Sequence, residues 1–254
     1  MISKVFLEKI YKQYNKPGLI SPDPLQFVQN YTSNKDKEIA ALIAASLAYG
    51  NVKQIIKTVG RVLEPMGKSP RSFLLKTDKK TLNKLFTGFK YRFTTQTELV
   101  NFLNAITQIL KENGSLENLF YSFYKEDKNF LSALRSFAAK LRSYDKVDTL
   151  IPNPAKNSAL KRLNLFLRWA VRKDSVDPGF WDKIPTSGLI VPLDVHMHRA
   201  AKKLGLTKRK QADMKTALEI SAAFSRLCPH DPIKYDFCLT RFGIRDDMSE
   251  DDLK

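Results

Sequence analysis

The chain has 254 residues, 43% of them hydrophobic, enough for one large domain or two lobes with a sizeable core. Its 43 Lys and Arg against 26 Asp and Glu give a formal net charge of +17, a self-repulsion that lends a fold nothing and points to a polyanionic partner. Two cysteines, Cys228 and Cys238, are too few for a disulfide framework or a four-cysteine metal site, and the longest apolar stretch, residues 39–49, is about half a membrane span.

Helical patterns follow one another along the chain. Val5, Leu7, Ile10 and Tyr11 make the first helical face, which Pro17-Gly18 ends. Ser21-Pro22-Asp23-Pro24 precedes a helix expected over residues 25–31. The alanine-rich residues 36–49 predict a central, closely packed helix stopped at Gly50-Asn51, and a basic amphipathic helix follows over 52–63. Two short helices are expected within 70–86. Phe89, Tyr91 and Phe93 then alternate with Lys90 and Arg92; no partner strand is in view, so an extended loop is expected. Helices are expected at 97–111, 115–124 and 129–141, a turn at 150–154, and a further helix at 158–172. Asp177-Pro178-Gly179 reads as a turn with glycine supplying a positive φ, and residues 185–188 as another. An extended piece at 189–192 leads to a helix at 194–204 closed by Gly205. The last helices are placed at 210–227 and 232–242, the latter opened by Asp231 with Pro232 at its first position. The fold class expected is all-α.

The segment 158–194 is the most informative. At 100° per residue, Lys161, Asn164, Arg168 and Arg172 fall on one narrow stripe of a helix that is otherwise apolar. Such a stripe either meets water or looks into a basic cleft. Asp194 stands at a helix start, where aspartate is a standard N-cap. His196 and His198 are two apart, not the four apart of a helical metal pair, so no metal site is expected from them.

Val191-Pro192-Leu193-Asp194-Val195-His196-Met197-His198-Arg199-Ala200, followed by Lys203-Leu204-Gly205-Leu206, resembles the catalytic-aspartate segment of the helix-hairpin-helix, endonuclease III-like, DNA glycosylases. Asp23 to Phe27 and residues 39–47 resemble the opening helices of that superfamily, and 237–243 the helix after the aspartate. Within it, the chain looks closest to a bacterial family with a domain of unknown function, whose pieces Lys-Arg-Leu-Asn, Leu-Arg-Trp, Asp-Pro-Gly and Pro-Leu-Asp-Val-His are all present. The resemblance covers most of the chain and is specific across residues 158–206.

It implies an all-helical, two-lobed glycosylase-like fold with a cleft between lobes, one lobe from residues 35–172 and the other from 1–34 and 173–254. It implies Lys161 as the Schiff-base nucleophile, with Lys156 as the competing candidate, and Asp194 as the catalytic carboxylate. Lys156, Asn157, Ser158, Arg168, Arg172 and His196 would contact DNA, and Trp169, Phe180 and Trp181 are candidates for an aromatic wall around an extruded base, with the core as their plainer role. The interval from Lys161 to Asp194 is longer than in endonuclease III and resembles that of the archaeal 8-oxoguanine glycosylases.

Two departures stand out. Ile151-Pro152-Asn153-Pro154-Ala155-Lys156-Asn157-Ser158 replaces the glycine-rich hairpin that holds a phosphate on backbone N–H groups. The cluster-binding cysteines of endonuclease III are missing, so no iron–sulfur cluster or other cofactor is expected. The expected protein is a cytoplasmic, nucleoid-associated monomer that acts on damaged duplex DNA and binds no membrane. Its function is read as a DNA glycosylase with AP lyase capacity, an oxidised purine being the candidate lesion in base excision repair. A non-catalytic nucleic-acid-binding protein on the same fold is the alternative, and an enzyme of RNA or of free nucleosides stays open beside it.

Overall fold

The computed structural model describes residues 2–245, 247–249 and 253. It is helical nearly throughout and divides into two compact units, Pro22–Lys156 and the combination of Met1–Ser21 with Asn157–Lys254. The first helix, α1 (Lys4–Tyr14), starts where Ser3 Oγ accepts the Phe6 N–H at 3.2 Å, and it buries Leu7 and Ile10.

The unit from Pro22 to Lys156 opens with a 3₁₀ segment, Pro24–Asn30, where an α-helix was expected. Its buried residues Leu25 and Val28 are three apart, which matches the three-residue turn of a 3₁₀ helix. It packs on α2 (Asn34–Ser46), in which Ile39 to Ala45 are completely buried. Small side chains let the backbones approach, as the alanine-rich pattern predicts. Two buried carboxylates of α2 serve other helices: Asp36 Oδ1 accepts from Ser69 Oγ and the Arg71 N–H, and Glu38 Oε1 from the Glu117 N–H at 2.8 Å. The next helix, α3 (Val52–Leu63), buries Ile55, Val59 and Val62 and exposes Lys53, Lys57 and Arg61. Then come α4 (Pro70–Lys76), α5 (Lys79–Leu85), α6 (Gln96–Asn113), α7 (Leu116–Asp127) and α8 (Phe130–Ser143).

Between α5 and α6 the expected loop is a small hairpin, β1 (Lys90–Tyr91) paired antiparallel with β2 (Thr94–Thr95). The alternation of aromatic and basic residues was a strand signal after all. The partner strand is Thr94–Thr95 of the same segment, folded back across Arg92 and Phe93.

The other unit adds to α1 the helices α9 (Lys161–Val171), α10 (Val195–Lys203), α11 (Met214–Ser225) and α12 (Asp236–Ile244). α10 packs on α12, and α12 on α1. The last helix begins at Asp236, not at 232, because Asp231 is drawn to Arg172 and the backbone from 231 to 235 turns instead. The units meet in sequence at 21/22 and 156/157, whereas the sequence suggested 34/35 and 172/173. Helix α9 therefore belongs with α10 and α12, to which its side chains are bonded. Among the described residues no helix is long and apolar enough to cross a membrane.

Candidate active site

Helix α9 starts abruptly. Leu160, 1% exposed, is left-handed at φ +47° and ψ +37° and offers no capping side chain. Its N–H donates to Ser158 Oγ at 3.3 Å, and Asn164 Nδ2 donates to the Ala159 carbonyl at 2.9 Å. The preceding residues are tied to the start of α11. Asn157 Nδ2 donates to Asp213 Oδ2 at 3.1 Å, Ser158 forms an antiparallel bridge with Asp213, and Asp213 Oδ1 accepts the Thr216 N–H at 2.9 Å. These bonds set Lys161 as the first residue of α9.

Asp194 arrives from the other direction. Buried Val191, Pro192 and Leu193 deliver it in extended conformation to the start of α10. Its Oδ1 caps the helix, accepting the His196 N–H at 3.0 Å and the Met197 N–H at 2.9 Å. Its Oδ2 lies 3.9 Å from Lys161 Nζ. The two side chains are 28% and 23% exposed, so water reaches both. A pair this loose and this open contributes about 0–1 kcal/mol to stability. Capping and Lys161 thus use different oxygens of one carboxylate.

Behind the pair lies a buried ion network on the same stripe of α9. Arg168 Nε donates to Asp177 Oδ1 at 3.1 Å and its Nη1 to Asp236 Oδ2 at 2.5 Å. Arg172 donates through Nη1 to Asp177 Oδ2, through Nη2 to Asp174 Oδ2 at 2.8 Å and through Nε to Asp231 Oδ2 at 2.9 Å. Tyr11 Oη and Asn15 Nδ2 donate to Asp174 Oδ2 at 2.9 and 3.0 Å, which brings the N-terminal helix into the network. Asp174 Oδ1 accepts the N–H groups of Val176 and Asp177, so the tight bend lies at 174–177, just ahead of Asp177-Pro178-Gly179. Gly179 has φ +49° and donates to the Trp169 carbonyl at 3.1 Å.

Two arginines face four carboxylates here, and burial acts on three of them, Asp174, Asp177 and Asp236. Burial pushes the Asp236 carboxyl up to about 6, against the pull of Arg168; Asp194 and Asp177 add to the rise. Burial also pushes Asp177 up, opposed by Arg168 and Arg172. At Asp174 burial works upward too, but Arg172 and the N–H donors of the bend hold it below the usual carboxylate range. Asp236 feels the charge of Asp194, which links the half-buried pair to the buried network.

Residues 23–245 match a family model described as "Protein of unknown function (DUF2400)". The chain belongs to this family. No curated protein and no solved structure matches it. In this DUF2400 chain Lys-Arg-Leu-Asn brings Lys161, Leu-Arg-Trp brings Arg168, Asp-Pro-Gly brings Asp177 and Pro-Leu-Asp-Val-His brings Asp194. The four pieces converge on one pair and one network.

The site residues expected from the DUF2400 sequence fall into three groups. Lys161 and Asp194 come together, within one unit. Lys156 and Asn157 are exposed on the segment leading into α9, Ser158 and His196 are half-buried, and His196 Nδ1 sits 3.1 Å from Arg199 Nη2. Arg168, Arg172 and Trp169 require correction. The two arginines are 2% and 3% exposed and held by carboxylates, and Trp169 is completely buried, so none of the three faces a cleft. Phe180 and Trp181 are 4% exposed, with Trp181 edge-on to Phe166 at 5.2 Å, and belong to the core. Sequence reasoning missed Asp174, Asp177, Asp231 and Asp236 as functional neighbours. Seven aspartates between residues 173 and 245, after an arginine-bearing helix, are the one signal, and it does not say which of them return to that helix.

Proposed function

We propose that this protein is a DNA glycosylase with AP lyase capacity, on a fold of the helix-hairpin-helix, endonuclease III-like kind. The observation that carries the reading is Lys161 Nζ at 3.9 Å from Asp194 Oδ2 while Asp194 Oδ1 caps α10. Stability has little use for so loose and water-accessible a pair, whereas an amine beside a fixed carboxylate suits attack on a sugar. The unprotonated Lys161 amine attacks the anomeric carbon of a damaged nucleotide, and the base leaves with the bonding electrons. The sugar ring opens to a protonated Schiff base on Nζ. Asp194 Oδ2 faces the positive charge that builds on the sugar and lowers its energy. Loss of a sugar proton next to the imine then expels the 3′ phosphate, and water releases the lysine. An oxidised purine is the first lesion class to test. The partner is duplex DNA, which the +17 charge favours at every phosphate.

A panel of duplexes, each with one lesion, tests this by release of the altered base, read by mass spectrometry. Release from at least one lesion, lost in Lys161→Gln, is the expected result. No release from any lesion, with duplex binding intact, would favour the second reading, a non-catalytic nucleic-acid-binding protein. The glycine-free segment 151–158 is the feature on that side.

A further inference from the structure

The unit Pro22–Lys156 carries a feature that the chemistry of Lys161 and Asp194 does not use. β1 and β2 are joined by only two residues, Arg92 and Phe93. Turns this short favour Asn-Gly or a glycine, because the backbone needs positive φ. Here Arg92 takes φ +50°, and Phe93 is 74% exposed. Neither turn geometry nor burial accounts for this choice of residues. The Arg92 guanidinium carbon lies 5.8 Å from the centre of the Phe93 ring.

The base of the hairpin is held firmly. Tyr91 is buried with its ring 4.9 Å from that of Tyr49, and its hydroxyl donates to the Tyr49 carbonyl. The Tyr49 hydroxyl donates to the Tyr91 carbonyl at 3.1 Å. Thr94 is completely buried, its Oγ1 2.6 Å from the Tyr49 hydroxyl and 2.7 Å from Thr149 Oγ1. Arg92 lies across Gly50, where a β-carbon would come within 3.0 Å of its side chain. An exposed aromatic ring thus stands on an anchored, narrow tip.

The surroundings are basic. Lys53, Lys57 and Arg61 are exposed one turn apart on α3, and Arg61 stacks 5.6 Å over the Phe89 ring at the foot of the hairpin. Residues 39–63 and 79–97 contain no Asp or Glu. The nearby Glu98 is 9% exposed and occupied by Thr149. One aromatic ring on a two-residue tip offers too little apolar area to hold a bilayer, but it matches the face of one nucleobase.

We infer that the 90–95 hairpin is a second nucleic-acid contact, in which Phe93 stacks on an unpaired base while Arg92 and the Lys53, Lys57, Arg61 stripe take the flanking phosphates. An unpaired base presents an open π-face, and its phosphates meet the cations. The inference does not depend on the glycosylase reading.

The test uses the full chain and two DNA duplexes, one with a single bulged 2-aminopurine and one fully paired. Wild type should bind the bulged duplex more tightly and change the 2-aminopurine emission. Phe93→Ala should lose about tenfold in affinity for the bulge, while paired-duplex binding stays within about twofold. Phe93→Trp should restore the preference, with its own emission quenched on binding, and Lys161→Gln should leave the preference intact. Because Phe93 is exposed, Phe93→Ala should keep the wild-type circular dichroism. The inference is overturned if wild type shows no preference for the bulge, if Phe93→Ala keeps it, or if Phe93 instead governs binding to phosphatidylserine vesicles.

Discussion

Asp194 answers two demands with two oxygens. The cap needs only one acceptor, and asparagine caps about as well as aspartate. Asp194→Asn should therefore shift stability by less than about 0.5 kcal/mol while slowing base release by about a hundredfold or more, because the charge facing the developing cation is gone. Thermal melting beside single-turnover base release checks both halves. Gly179 makes a different kind of demand. A β-carbon there would lie 2.5 Å from Lys173 Cβ and 2.7 Å from the Arg172 carbonyl oxygen, and backbone atoms cannot step aside cheaply. Gly179→Ala should cost about 2–4 kcal/mol, read as a lowered denaturant midpoint. An unchanged midpoint would mean that the approach is looser than described. Both residues stood out in the sequence, Asp194 as a helix start and Gly179 as a positive-φ position. What could not be read there was the second oxygen's partner, since Lys161 is a whole helix and a loop away.

Helix α9 is the element that ties the site together. Its stripe of Lys161, Asn164, Arg168 and Arg172 was legible from periodicity, but the environment of the stripe was not. Lys161 alone meets water, and the two arginines are sunk among carboxylates from later segments and from α12. Such pairings join residues far apart in the chain, and local pattern carries no trace of them. The same gap hid the start of α12, where Asp231 looked like a cap and is instead an ion partner of Arg172. It hid the hairpin as well, whose turn lacks the usual Asn-Gly.

The network also makes a prediction about pH. Asp236 titrates at about 6 in the fold, against an ordinary value of 3.8. A carboxyl raised in this way stabilises the fold fully below about pH 4 and loses that contribution as pH rises through about 6. The groups facing it are Arg168 from α9, Asp177 from the bend and Asp194 from α10. Asp236→Asn cannot titrate, yet its amide oxygen can still accept from Arg168. The stability of wild type minus that of Asp236→Asn should thus fall from pH 4.5 to 7 in denaturant titrations. A difference that is constant or rises would contradict the burial-dominated account of this acid.

At the scale of the molecule, charge dominates. The buried network holds more acids than bases, so the cations outside it outweigh the anions there by more than the +17 sum conveys. Binding to undamaged duplex should weaken steeply with salt, each neutralised phosphate adding about 0.9 to the slope of log affinity against log salt concentration. A flat dependence would mean that the basic surface does not meet phosphates. Helical class and charge could be read from composition and periodicity alone. The division into units could not, because it depends on which helices α9 bonds to.

The central claim is that Lys161 forms a covalent Schiff base with a sugar, and borohydride trapping tests it most directly. The duplexes are those from which base release is seen, and the adduct is mapped by peptide mass spectrometry. The account predicts an adduct on Lys161, absent in Lys161→Gln, retained in Lys156→Gln and strongly reduced in Asp194→Asn, with duplex affinity nearly unchanged in all three. An adduct that survives Lys161→Gln but disappears with Lys156→Gln would place the nucleophile on the exposed segment before α9. Base release without any adduct would contradict covalent catalysis by Lys161.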